Sequence, residues 1–364
     1  MPNTFCNLLS NGYSFSKDKN SNLTVSPCCL HTKKIIVDKN LVQQHRSNFG
    51  NITDWTDSCA HCHVLEKSGQ QSLRQTGPDW IPAGVENQSA VMIDINLDTE
   101  CNAACVICGE HSSSLWKSEN KKFHKIKEKT NKSTQLVDDY IDLIVDTTPL
   151  DDVRYIKFFG GEPLFTDTHI KFLEKIKNPG NVTVHYTTNG SIFPKNQVQQ
   201  VWNRFKTVIF AVSIDGIDKQ FDYVRWPLTW TKVSGNLIQL KERNIHNLMF
   251  RVEFTANLLN TYYYDKLEQW VSLNLSANNF GDKTEISVHH CFNSAFALES
   301  MPLAVMDLIK EKYGPQHVIY ELVKNSKKTQ KIDEFWNFVN RWDPWRKKAW
   351  QECFPDLVPY IPNY

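Results

Sequence analysis

Three cysteines stand within one short run, Cys101-Asn102-Ala103-Ala104-Cys105-Val106-Ile107-Cys108, separated by three and then two residues. Thiolates spaced in this way can wrap one loop around an iron–sulfur cluster, and three protein ligands for four irons leave one iron open to a small molecule. An open iron is a place for chemistry. The plainer alternative is a zinc loop or a set of reduced thiols, although zinc usually draws its four ligands from two paired clusters. Directly before the loop, Val91, Ile93, Ile95 and Leu97 alternate as in a strand. The cysteines therefore leave the end of a strand, where α/β folds put their active sites.

The CxxxCxxC run on the loop after a first strand resembles the signature of the radical S-adenosylmethionine (SAM) superfamily. The resemblance implies that Cys101, Cys105 and Cys108 hold a [4Fe–4S] cluster whose fourth iron is chelated by the methionine part of SAM. It also implies a fold, a partial (β/α)6 TIM-like barrel open on one side.

The rest of the composition is consistent with an intracellular metalloprotein. The chain has 364 residues with 41 basic against 40 acidic side chains, so no global charge points to nucleic acid or a membrane, and neither is an expected partner. No apolar run approaches a membrane span and the first residues do not open a signal peptide, which gives a cytoplasmic expectation. In that compartment thiols stay reduced, and ten cysteines are better explained by metal than by disulfides. Eight of the ten precede residue 110, in two groups.

The first group is Cys6, Cys28, Cys29, Cys59 and Cys62. Tyr13–Ser16 and Leu23–Ser26 are short and β-prone around a polar turn, which predicts a hairpin. Asp57-Ser58 is expected to cap a helix carrying Cys59 and Cys62, which then lie on one helical face. This layout resembles the twitch domain, the shortened form of the SPASM domain that holds an auxiliary iron–sulfur cluster, placed ahead of the barrel as in the group of radical SAM proteins with an amino-terminal twitch. The resemblance implies Cys6, Cys28, Cys59 and Cys62 as auxiliary ligands, with Cys29 beside the site as an alternative to Cys28 or Cys6. A structural zinc site would use the same four thiolates.

Residues 77–88 read as a linker, rich in Pro, Gly and polar side chains. A lysine run follows the cysteine loop, Lys117, Lys121, Lys122, Lys125, Lys127, Lys129 and Lys132, and reads first as a solvated helix face. Strand-like segments at 153–158, 182–186, 208–212, 248–254 and 286–288 then alternate with amphipathic stretches such as Leu136, Val137, Tyr140, Ile141 and Ile144, or Leu237, Leu240 and Ile245. With the strand before Cys101 this makes six βα units and a parallel sheet with right-handed crossovers.

The ends of these strands carry polar signals. Phe159-Gly160-Gly161-Glu162-Pro163 follows the second, Thr187-Thr188-Asn189-Gly190 the third and Ser213-Ile214-Asp215-Gly216 the fourth. Glycines let backbone approach a ligand, and a carboxylate can accept from an ammonium. By the family resemblance Gly160, Gly161 and Glu162 hold the SAM amine, Ser213 and Asp215 face its ribose, Asn189 shapes the pocket, and Arg225 pairs with its carboxylate. Thr255, Asn257 and Asn260 end the fifth strand, and His289-His290-Cys291 ends the sixth with a thiol that reads first as packing.

The tail carries Phe335, Trp336, Phe338, Trp342, Trp345, Trp350 and Phe354, with Phe335, Phe338, Val339 and Trp342 at helical spacing, which predicts packing on the barrel rather than base stacking. Asp343, Arg346, Trp350 and Phe354-Pro355 resemble the closing segment of the amino-terminal-twitch group, and Cys353 reads as a structural thiol. The expected organisation is an α/β chain with a β-hairpin-plus-helix cysteine module over 1–80, the partial barrel over 89–300 and a helical tail over 301–364. The expected activity is reductive SAM cleavage and hydrogen abstraction from a substrate, a ribosomally made peptide by family analogy, with a carbohydrate, nucleotide or other small molecule as the alternative. A one-electron reductant such as flavodoxin or ferredoxin is the implied partner. The reading from a different class is a non-catalytic iron–sulfur or SAM-binding protein.

Overall fold

Six strands run parallel and in chain order from the middle of one sheet to its edge, as the alternation of the sequence predicts. The computed structural model describes residues 6, 8–50, 52, 55–67, 72–76, 90–126, 137–276, 284–291, 293–326 and 332–362. Its strands are β1 (Gly12–Lys17), β2 (Leu23–Ser26), β3 (Ile35–Ile36), β4 (Met92–Asn96), β5 (Tyr155–Phe158), β6 (Thr183–Thr188), β7 (Thr207–Ser213), β8 (Leu248–Ala256) and β9 (Glu285–His290). The sheet order is β3-β2-β1-β4-β5-β6-β7-β8-β9, and every pair from β4 to β9 is parallel.

The two faces of the sheet differ in kind. Along β8, Leu248, Phe250, Val252, Phe254 and Ala256 are buried, while Met249, Arg251, Glu253 and Thr255 between them are half-exposed. The buried set shares one core with Val233, Leu237 and Leu240 of the helix Trp230–Glu242 and with Leu267 and Val271 of the helix Tyr264–Asn274. The other set belongs to the face that lines the interior, because successive side chains alternate across a strand. Tyr140, Ile141 and Ile144 are likewise buried on the helix Val137–Thr147.

The hairpin forms where expected, and it does more than hold cysteines. β1 pairs with β2 antiparallel and with β4 in parallel, Gly12 opposite Met92 and Ser14 opposite Asp94. Tyr13, Phe15, Leu23 and Val25 join the same core as Ile93 and Ile95. The turn needs no glycine because Asp18 closes it: its Oδ1 accepts from the backbone N–H groups of Asn20 and Asn22, each at 2.8 Å, while Ser21 takes the left-handed conformation at φ 66°.

At the next cysteines the expected cap gives way to a tighter turn. Asp57–Cys59 is a 3₁₀ turn with Thr56 ahead of it, the α-helix begins at Ala60 and runs to Lys67, and no side-chain cap bond forms. The expected linker at 77–88, together with Lys127, Lys129, Lys132 and Leu136, lies outside the described residues. In the tail, the helix Ile332–Arg346 buries Phe335, Trp336, Val339 and Trp342, and Trp350 and Phe354 are buried after it, so most of the aromatic run packs as predicted, while Phe338 is half-buried and Trp345 is exposed. No helix of the described residues is long and apolar enough to cross a membrane.

Candidate active site at the ends of the parallel strands

A cavity of about 840 Å³ opens where the parallel strands end, within the range usual for a cofactor-sized ligand. Its wall contains the side chains of Cys101, Cys105 and Cys108 together with Gly160, Gly161, Asn189, Ser213 and Arg225. Asn96, Thr187 and Thr255, from the interior faces of β4, β6 and β8, also line it.

The cysteine loop is held by bonds from several elements. The N–H groups of Ala104 and Val106 donate to the carbonyls of Trp226 (2.6 Å) and Val224 (2.9 Å). Trp116 Nε1 donates to the Cys105 carbonyl at 2.7 Å, and Asn293 Nδ2 to the Val106 carbonyl at 3.2 Å. Ser113 caps the helix Ser114–His124 by accepting from the Trp116 N–H and ties that cap to the loop by donating to the Ala103 carbonyl. Burial pushes the Cys101 thiol up to about 11 and the Cys105 thiol to about 12, with Arg225 pulling both the other way. Thiols that are costly to ionise alone become thiolates when they bind metal, because the metal's charge replaces the lost solvation.

The glycine pair packs directly on the loop. Gly160 has φ 124°, and a Cβ there would lie 2.3 Å from Asn96 Oδ1; a Cβ on Gly161 would lie 2.2 Å from the Glu100 carbonyl oxygen. No other residue fits either position, which leaves a backbone-walled cradle beside Cys101.

Glu162 is placed differently from its sequence reading. It is 1% exposed and lies behind the wall, where Oε1 accepts from Thr188 Oγ1 (2.7 Å) and the Leu164 N–H (3.2 Å), and Oε2 from the Asn189 N–H (2.7 Å). Its carboxylate therefore positions the third strand end against the glycine turn rather than facing the cavity. Burial raises its pKa against those three bonds.

Asp215 is also withdrawn, at 0% exposure. Its Oδ2 lies 2.6 Å from Arg225 Nη2, and its Oδ1 accepts from the Thr255 N–H at 2.7 Å. Arg225 Nη1 is 3.9 Å from Cys105 Sγ. Burial opposes the Arg225 charge, and Asp215 with the Cys105 thiol outweighs it, so the guanidinium stays protonated. Arg225 thus reaches the cavity wall with one side occupied by Asp215. Asn257 and Asn260 form a buried turn in which Asn260 Nδ2 donates to the Asp215 and Thr255 carbonyls at 3.1 and 3.0 Å, leaving Thr255 alone of that trio on the wall. Cys291 is buried and lines the cavity, and burial lifts its thiol to about 12. Cys353 is buried within the tail.

Two residues on this rim carry no signal in the sequence. Asn102, inside the cysteine loop, donates from Nδ2 to Ser191 Oγ (2.9 Å) and accepts from Asn189 Nδ2 (3.0 Å), bridging first and third strand ends. Asn293 bridges the sixth strand end to the loop from far along the chain. Ser113 is different, since a serine ahead of a helical run is a recognisable cap.

The earlier cysteines gather in a second, much tighter pocket of about 30 Å³ lined by Cys6, Cys28, Cys59 and Cys62, with Trp55 and Arg74 beside them. Cys29 is not part of its lining; it stands toward Asp94 of β4. Cys6 and Cys28 pack on Leu8, Met92, Tyr155 and Ile209, and Met92 and Tyr155 are the first residues of β4 and β5. The second pocket therefore sits at the opposite end of the strands from the cavity. Among the described residues no three His, Cys, Asp or Glu side chains converge as they would on a single ion.

Part of the chain matches a known family. Residues 95–273 match the Radical SAM superfamily. Solved structures with similarity include anSMEcpe with bound AdoMet, at 13% identity over 65% of this chain and 62% of that one with a TM-score of 0.41. Another is SuiB of Streptococcus suis bound to precursor peptide SuiA, at 11% identity over 91% and 71% with a TM-score of 0.39. The chain thus spans about three fifths of the length of the anSMEcpe structure. No curated protein matches the sequence. The cavity lies at the ends of the strands within residues 95–273, the segment that matches the Radical SAM superfamily.

Proposed function

We propose that the chain is a radical SAM enzyme whose Cys101, Cys105 and Cys108 hold a [4Fe–4S] cluster with SAM beside it. The observation that carries this reading is that all three thiols of the CxxxCxxC run line one cavity with the Gly160–Gly161 cradle. When bound, the cluster and SAM supply a one-electron cleavage that yields methionine and a 5′-deoxyadenosyl radical able to take hydrogen from an unactivated C–H bond. The protein's part is binding and exclusion. The backbone at Gly160 and Gly161 receives the amino-acid end of SAM, Ser213 and Asn189 face its nucleoside, and Arg225, held by Asp215, offers its free donors to a carboxylate. Glu162 and Asn102 keep the strand ends in register around it.

Cys6, Cys28, Cys59 and Cys62 are read as the ligands of an auxiliary iron–sulfur cluster in a twitch-like amino-terminal module, with zinc as the competing occupant. The substrate is read as a ribosomally made peptide on the resemblance to twitch and SPASM relatives. A small-molecule substrate is favoured by a different observation: Lys157, Arg251, Glu253 and His289, on the interior-facing register of β5, β8 and β9, make that face densely charged.

Anaerobic reconstitution with iron and sulfide, then SAM and dithionite, tests the reading. Wild type is expected to form 5′-deoxyadenosine and to show iron–sulfur absorption. A fully loaded protein that forms none with several reductants would reduce it to a non-catalytic cluster protein. Iron against zinc content of a variant lacking Cys101, Cys105 and Cys108 identifies the second occupant.

A further inference from the structure

The amino-terminal pocket, read above as an auxiliary metal site, is lined by two histidines as well as four thiols, and the following inference rests on that reading. His31 and His61 stand in its wall beside Cys6, Cys28, Cys59 and Cys62. His31 follows Cys28 by three residues, as Cys62 follows Cys59, so Cys28-Cys29-Leu30-His31 and Cys59-Ala60-His61-Cys62 offer two donor pairs at one spacing. Metal sites recurrently draw their ligands from such pairs. The two turns are also tied to each other. The His31 N–H donates to the Cys28 carbonyl at 3.2 Å, and Thr32, the next residue, donates to the carbonyl of Ser58, directly before Cys59, at 3.3 Å.

The His31 ring is fixed, and one of its nitrogens is left over. Nδ1 lies 2.9 Å from the Lys33 carbonyl oxygen, an atom that can only accept, so Nδ1 carries the proton and Nε2 the lone pair of the neutral ring. Burial and the Lys33 charge lower the His31 pKa, which favours that neutral ring. The buried Phe49 meets it edge-on, with centroids 5.3 Å apart. Among the described residues no group bonds to Nε2, although it is buried in a residue only 3% exposed. A buried acceptor without a donor is costly, whereas an imidazole whose other N–H is bonded to a backbone carbonyl has the usual posture of a metal ligand. The neighbouring histidines differ. His45 also has a buried nitrogen without a partner, Nδ1, but it does not line the pocket. His61 lines the pocket but is exposed, where water can serve it.

We propose that His31 is a ligand of the auxiliary metal, bound through Nε2 beside three of the four thiolates. Four protein ligands are the usual complement of a cluster or a zinc ion, so one thiol is released from the set that the resemblance implies. Exchanging a thiolate for a neutral imidazole removes one negative charge from the centre and raises its reduction potential, as in iron–sulfur centres of mixed ligation. The auxiliary centre thereby accepts an electron more readily than an all-thiolate one.

The test uses the full chain in the background lacking Cys101, Cys105 and Cys108, so that iron and sulfide load the amino-terminal centre alone. Electron spin-echo spectroscopy of the reduced protein, grown with and without isotopically labelled histidine, is expected to show the coupling of a directly bound imidazole nitrogen. That measurement leaves His31 in place, so it does not depend on the folding of a variant at this position. His31→Cys is expected to keep the metal, lose the nitrogen coupling and shift the reduction equilibrium toward the oxidised form about tenfold, or about 59 mV for one electron. No histidine nitrogen coupling with His31 present overturns the proposal, and so does a His31→Cys protein whose spectrum and potential are unchanged. Should the pocket load zinc, cobalt substitution asks the same question. A hyperfine-shifted, solvent-exchangeable imidazole N–H resonance that vanishes in His31→Cys supports the ligand, and no such resonance with His31 present overturns it. If the pocket binds no metal, its reading as a metal site fails together with the inference; metal bound without imidazole removes the inference alone.

Discussion

The two cysteine regions bring their thiols together in different ways. At the cavity, the three thiols come from one eight-residue run whose backbone is fixed by bonds to Trp226, Val224, Trp116 and Asn293, so the path of the loop is set by the fold itself. At the other end of the strands, Cys6, Cys28, Cys59 and Cys62 come from three separate segments. Among the described residues, Thr32 donates to the Ser58 carbonyl at 3.3 Å between two of these segments, and Thr56 Oγ1 lies 3.6 Å from Cys59 Sγ within the last of them. On the proposed reading, the first region offers metal a single bonded loop, while in the second a bound metal would tie three stretches of chain together.

Breaking one ligand in each region tests that contrast with the largest effects. Cys105→Ala should reduce 5′-deoxyadenosine formation to background while leaving the melting temperature near wild type. Cys62→Ala should lower metal content and the melting temperature together, yet retain SAM cleavage uncoupled from substrate. Mass spectrometry of the nucleoside product beside thermal unfolding reads both; a collapse of the fold in the first variant would sink the account of a loop whose path the fold itself sets.

Asp215→Asn sharpens the comparison from inside the cavity wall. It leaves Arg225 buried beside Cys105 without its countercharge, and removing one partner of a buried pair should cost about 3 kcal/mol, seen as a lower denaturant midpoint. Glu162→Gln should be milder. One of its bonds, to the Asn189 N–H or to Thr188, is lost, and SAM affinity by calorimetry is expected to fall about tenfold, or about 1.4 kcal/mol, with global stability less affected.

The smallest expected effect is a pH dependence at the hairpin. His45 is fully buried, stacked on Tyr13 with ring centroids 4.1 Å apart, and donates from Nε2 to the Gly12 carbonyl at 2.9 Å. Burial lowers its pKa to about 4 from the usual 6.5. A depressed histidine favours the neutral form in the fold, so its contribution is complete above 6.5 and is lost as pH falls toward 4. The loss should reach about 1 kcal/mol by pH 6. Urea melts from pH 7.5 to 6 should show it, and His45→Gln should flatten that slope. His169, lowered to about 4 by burial in the same way on the helix Thr168–Glu174, provides the matching control in the central domain.

Much of this architecture was legible because its signals are local. The period-two runs at β4 and β8, the cysteine spacing and the glycine pair each declare themselves within a few residues. What stayed hidden depends on neighbours distant in sequence. Nothing around Glu162 says that Thr188 and Asn189 will claim its oxygens, and nothing around Asp215 says that Arg225 will fold back on it. Asn102 and Asn293 look like ordinary polar residues until the strand ends meet. The cap expected from Asp57-Ser58 failed because the chain tightens into a 3₁₀ turn there, which places Cys59 before the helix proper.

The parallel pairing of Gly12–Ser16 with Met92–Asn96 bears on how such a chain can be cut or recombined. Excising everything before residue 90 would strip β4 of a neighbour and bare a row of unpaired amides beside Ile93 and Ile95, a template for sticking to other chains. The leading cysteine segment therefore cannot be traded between proteins like a bead on a string; any graft must bring along a matching β4, and a shortened version should precipitate rather than work slowly.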